Sequence, residues 1–159
     1  MSLLSITHDD TKGGRGAALP ARAYRATIES AAVEAKENGQ SLVLVFGNIR
    51  TKEGATEFEH NGGIYRIGNR KVFARHWIEH TNSQAAEIGQ KYIKKLLIST
   101  GIVATPKAGE TVSDQYESWE QLAEDVVGHE AVILTKQRTR KDTDGEDVTE
   151  ADISSYLPA

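Results

Sequence analysis

The chain has 159 residues, 38% hydrophobic and 26% charged, the balance of a globular protein with one core. It has no cysteine, which excludes a disulfide framework, a thiolate metal site and a cysteine nucleophile. The net charge of −4 conceals a segregation, because residues 142–159 carry six carboxylates and no cation, leaving +2 on residues 1–141.

Residues 1–19 read as a flexible N-terminal arm, rich in breakers around Gly13, Gly14 and Gly16. Its apolar start, residues 1–6, is too short for a secretory leader and lacks a basic flank, and no run in the chain approaches the roughly 20 apolar residues of a membrane span. The expectation is a protein of the cytoplasm with no membrane association. After Pro20, Tyr24, Ala26 and Ile28 alternate with polar residues, the period of a half-buried strand. Asn38-Gly39 signals a turn. Leu42-Val43-Leu44-Val45-Phe46 is apolar on both parities and suits a central strand covered on both faces. Gly54 and Gly62-Gly63 fall in loops.

Residues 64–78 read as two strands or one bent strand, broken at Gly68-Asn69. Val72, Ala74, His76 and Ile78 share one face, and Phe73, Arg75 and Trp77 share the other. Thr81-Asn82-Ser83-Gln84 has the form of a capping box. The apolar stripe Ala85, Ile88, Gly89, Tyr92, Ile93, Leu96 and Leu97 follows at helical spacing, and Gly101 ends it. A shorter helix over 119–127 has Ser118 and Gln121 as its capping box. Residues 131–134 form an apolar strand that runs into the basic segment Lys136, Arg138, Arg140 and Lys141. In the acidic segment 142–159, Ile153 and Tyr156 are spaced to return to the body.

Strands, one amphipathic helix and further strands predict a mainly β fold, a small β-barrel over residues 20–141 with the helix packed on it. The string His76-Trp77-Ile78-Glu79-His80 matches an inverted zinc-protease motif. Its histidines sit on a strand pattern about 13 Å apart, too far to share a zinc ion. No nucleotide loop or nucleophile elbow is present, so no enzyme, metal or cofactor is expected. The strongest chemical signal is the interleaving of Tyr65, Arg66, Arg70, Lys71, Phe73, Arg75 and Trp77 within one β segment. Single-stranded nucleic acid calls for this mixture, with cations along the phosphates and ring faces under the bases. Lys136, Arg138 and Arg140 alternate on a strand end and could join them on one face.

The order of these landmarks resembles a family of small bacteriophage single-stranded DNA-binding proteins of OB-fold type. The resemblance runs from Leu19-Pro20-Ala21-Arg22-Ala23-Tyr24 through Arg70-Lys71-Val72-Phe73-Ala74-Arg75, Glu79-His80-Thr81-Asn82 and Ala85-Ala86-Glu87-Ile88-Gly89-Gln90. It continues through Gly101 and residues 128–134 to Asp144-Gly145-Glu146 and Ile153-Ser154-Ser155-Tyr156. It implies a non-catalytic protein that coats single-stranded DNA in phage replication or recombination, in the host cytoplasm. A homodimer is expected, because one small barrel covers few nucleotides. The competing expectation is an interaction module that recruits replication or recombination proteins through its acidic segment.

Overall fold

The computed structural model describes residues 18–159; the expected arm lies outside the described residues as far as position 17. Its last two positions are packed, Ala18 half-buried and Leu19 in the core. Seven strands and two helices follow. They are β1 (Ala23–Lys36), β2 (Gly39–Thr51), β3 (Glu57–His60), β4 (Gly63–Arg66), β5 (Val72–His80), α1 (Ser83–Ser99), α2 (Trp119–Val126), β6 (Glu130–Lys141) and β7 (Asp147–Leu157). The protein is mainly β, and five of the strands form one antiparallel sheet in the order β5-β2-β1-β6-β7. β3 and β4 pair only with each other. Their two-residue turn, Asn61 at φ 51° and Gly62 at φ 79°, is of the type whose twist matches a hairpin.

Alternation decides which face is buried. Tyr24, Ala26 and Ile28 of β1, Leu42, Leu44 and Phe46 of β2, and Val72, Ala74 and Ile78 of β5 all point into the core. Val43 and Val45, on the other face of β2, are only half-buried. The apolar run of β2 thus marks its place between two paired strands, with full cover on one face alone.

The sheet does not stay flat. Register shifts at Arg25/Thr27 and Ile28/Ser30 put bulges in the 14-residue β1, and bulges add bend and twist. β1 pairs along its length with β2, but with β6 only from Ala23 to Thr27. That short seam carries a three-strand ion cluster. Glu130 of β6 accepts from Arg25 Nε of β1 at 2.8 Å and from Arg50 Nη2 of β2. Burial raises the Glu130 carboxyl, but the two guanidiniums hold it below its usual range.

The bend brings the two edge strands together without a shared ladder. His76 Nε2 of β5 and Tyr156 Oη of β7 are hydrogen-bonded at 2.6 Å, both side chains buried. α1 lies over the junction. Tyr92 stacks on His76 with ring centroids 4.9 Å apart and planes 9° from parallel. Gln90 Nε2 donates to Ile78 O at 2.7 Å, and Ser99 Oγ accepts from Val132 N at 2.8 Å. The approach depends on Gly89, where an added Cβ would fall 2.0 Å from the Trp77 carbonyl oxygen. The helix is capped by Asn82, whose side chain accepts from Gln84 N, one residue later than the Thr81 box suggests. α2 starts at Ser118 as expected and packs Leu122, Ala123 and Val126 against β1.

The acidic segment does not project. Its first residues turn at 142–146, and the rest is β7, paired with β6 from Lys141↔Asp147 to Val132↔Leu157. Ile153 and Tyr156 are in the core. No helix among the described residues is long and apolar enough to cross a membrane.

Two stability measurements follow from this packing. Gly89→Ala should cost about 1–3 kcal/mol, because the helix must lift from Trp77 or strain it, seen as a lower urea midpoint. His76 sets a pH dependence. Burial pushes its imidazole down from 6.5 to about 4, with the Asp152 carboxylate opposing. The unfolded chain therefore binds this proton at higher pH than the folded chain. The neutral ring's contribution is complete above about pH 6.5 and is lost as pH falls towards 4, on the order of 3 kcal/mol. Urea titrations at pH 7 and pH 4 should show a smaller loss for His76→Gln, which has no proton to take up.

Candidate functional site

Below the His76–Tyr156 contact the edge strands part, and a groove of 1090 Å³ opens between them. One wall is the segment from Gly68 to Lys71 with Phe73 of β5, extended by Glu57 and Arg66 of the β3–β4 hairpin. The other is the distal part of the β6–β7 hairpin, with Arg138, Arg140, Glu150 and Asp152. Ala18 and Leu19 form part of the lining between them. The groove exceeds the size usual for a small-molecule pocket, and its lining is more charged than such pockets are.

Six of the ten residues singled out in the sequence meet here: Arg66, Arg70, Lys71, Phe73, Arg138 and Arg140. Residues 70 and 140 are far apart in the chain and come together only because the sheet curls. Among the described residues five cations face three carboxylates, Glu57, Glu150 and Asp152, so that lining is net positive in a chain that is net negative. Phe73 is 64% exposed, although phenylalanine is normally buried. It stands on the outer face of β5, opposite Val45.

The other four lie elsewhere. Tyr65 is half-buried and stacks on Phe58, centroids 6.0 Å apart and planes 16° from parallel. Phe58 in turn meets Tyr24 and carries the Arg22 guanidinium 4.3 Å from its ring centre. Phe58 therefore anchors the β3–β4 hairpin to the body, and Tyr65 braces it from the partner strand. Trp77 is half-buried and set edge-on to His80 at 4.4 Å, at the end of β5 remote from the groove. Arg75 pairs across β2 with Glu34 at 3.4 Å. Lys136 is exposed on β6 and outside the lining.

Most of the groove's cations are already partnered. Arg140 Nη2 donates to Glu150 at 2.6 Å, and Arg138 lies 3.8 Å from Asp152. Arg66 lies 3.7 Å from Glu57, and Lys71 pairs with Glu29 of β1. Sequence reasoning did not place any of these carboxylates in the site. The available signal was the alternation of Glu150 and Asp152 just before Ile153, which marks a strand.

The zinc-like string is dispersed. His76 is buried under Tyr92, and His80 Nδ1 accepts from Asn82 N at 2.8 Å. Among the described residues no group of three or more histidine, cysteine or carboxylate side chains could hold a metal ion. No family model and no curated protein matches the chain.

Proposed function

We propose that this chain is a non-catalytic single-stranded DNA-binding protein whose curled sheet is a five-stranded, partly open barrel of OB-fold type. The observation that carries the reading is the groove, which sets Arg66, Arg70, Lys71, Arg138 and Arg140 around the exposed ring of Phe73. The cations suit phosphates, and the ring face suits an unpaired base. The barrel reading is supported by the strand order and by edge strands joined only through side chains. It is supported too by a helix placed between the third and fourth strands of the sheet in chain order.

The resemblance to phage single-strand binders supports the same reading and adds the role of coating DNA in replication or recombination. Recruitment of partner proteins by the acidic segment has less support. Glu150 and Asp152 face the chain's own arginines, and Ile153 and Tyr156 are in the core.

The test is anisotropy of a labelled polythymidine oligonucleotide against duplex DNA, over a range of salt. Both tryptophans are half-buried and outside the groove, so their fluorescence is a poor reporter. The single strand should bind more tightly than the duplex, and salt should weaken it. Phe73→Ala should cost about 1–3 kcal/mol of binding and leave the salt slope unchanged. Arg70→Ala should flatten the slope by about 0.7. Absence of binding to either nucleic acid would sink the proposal.

A further inference from the structure

We propose that Glu150 and Asp152 serve as resident phosphate surrogates, so that a single strand enters the groove by displacing carboxylates of the chain itself. This rests on the nucleic-acid reading above. On β6, Arg138 and Arg140 are two residues apart; on β7, Glu150 and Asp152 are likewise. The strands pair Arg138 with Glu150 and Lys136 with Asp152 in register, and the side chains reach diagonally to make the Arg140–Glu150 and Arg138–Asp152 pairs. Alternate residues on a strand repeat about every 6.6 Å. That is close to the separation of neighbouring phosphates on an extended single strand. β7 thus offers β6 two negative groups in the arrangement a bound strand would offer.

The opposite wall repeats the theme. Lys71 is held by Glu29, and Arg66 is near Glu57. Among the described residues Arg70 is the one groove cation without a carboxylate partner, which makes it the first point of contact for an incoming phosphate. The others then exchange one oxyanion for another. Their carboxylates are not deeply buried: Glu150 is 42% exposed and Asp152 35% at the side chain, so water can take them up when they leave.

The exchange has a distinctive salt signature. A cation that neutralises a phosphate ordinarily releases condensed counterions, about 0.7 per contact on a single strand. When the cation leaves a carboxylate behind, that carboxylate gathers solvent cations and the net release is smaller. The wild-type slope should therefore be shallower than the roughly −3.5 that five unpaired groove cations would give.

The experiment compares the full chain with the double variant Glu150→Gln, Asp152→Asn, using polythymidine anisotropy from low to physiological salt. The double variant should bind about three- to tenfold more tightly at low salt, with a slope steeper by about one. If the double variant proves unfolded by circular dichroism, Glu150→Gln alone should show the same changes at about half the size. A folded variant with equal or weaker affinity and an unchanged slope would overturn the inference, assigning the carboxylates to holding the arginines in place. If the wild type binds no single strand, the nucleic-acid reading falls and this inference with it. A wild type that binds beside an unresponsive variant removes this inference alone.

Discussion

The fold turns on a contact between two strands that share no backbone ladder. A five-stranded antiparallel sheet leaves two open edges, and open edges invite pairing with other chains. Here the bulged β1 bends the sheet until β5 and β7 approach, and His76, Tyr156 and Tyr92 join them by one buried hydrogen bond and one ring stack. An imidazole buried in this way stays neutral until well below its usual pKa. Gly89 lets α1 settle on the β5 backbone beside the junction, so the helix covers the part of the edge where the strands meet.

That closure is local, and the groove occupies the part it leaves out. From His76 back to Phe73, and from Tyr156 back to Asp152, the strands lose contact and the space between them fills with arginine, lysine and carboxylate. The same bend that buries Leu42, Leu44 and Phe46 therefore gathers the charged residues that alternate with the core near the strand ends. Core and groove are two results of one curvature.

Much of this was legible because alternation is a physical constraint rather than a tendency. The buried set Tyr24, Ala26 and Ile28, and the division of β5 into Val72, Ala74, His76 and Ile78 against Phe73, Arg75 and Trp77, follow from a period of two. The helical stripe was equally clear, except that Ile88 is 57% exposed, because α1 crosses a sheet edge and only part of its stripe has something to cover. Short β3, with Glu57 and Glu59 flanking Phe58, carries too little pattern to be told from a loop. The acidic segment was legible in part: the spacing of Ile153 and Tyr156 marks its return to the body, but only register sets Glu150 and Asp152 beside arginines. Likewise Trp77 and Phe73 share a strand face, yet only Phe73 reaches the groove, since position along β5 rather than parity separates them.

The seam between β1 and β6 is five residue pairs long and joins parts of the chain about a hundred residues apart, with Arg25, Arg50 and Glu130 as its ionic clasp. On one side of it lie β1, β2 and β5; on the other, the β6–β7 hairpin. The groove's two walls belong to these two halves. An occupant touching both walls cross-links these two halves, and by mass action it adds about 2.7 kcal/mol at a hundred times its dissociation constant. The empty protein holds its last hairpin to the body by this seam, by the His76–Tyr156 hydrogen bond and by α1. The loaded one is cross-braced, so resistance to proteolysis at that hairpin reports occupancy without any label on the ligand.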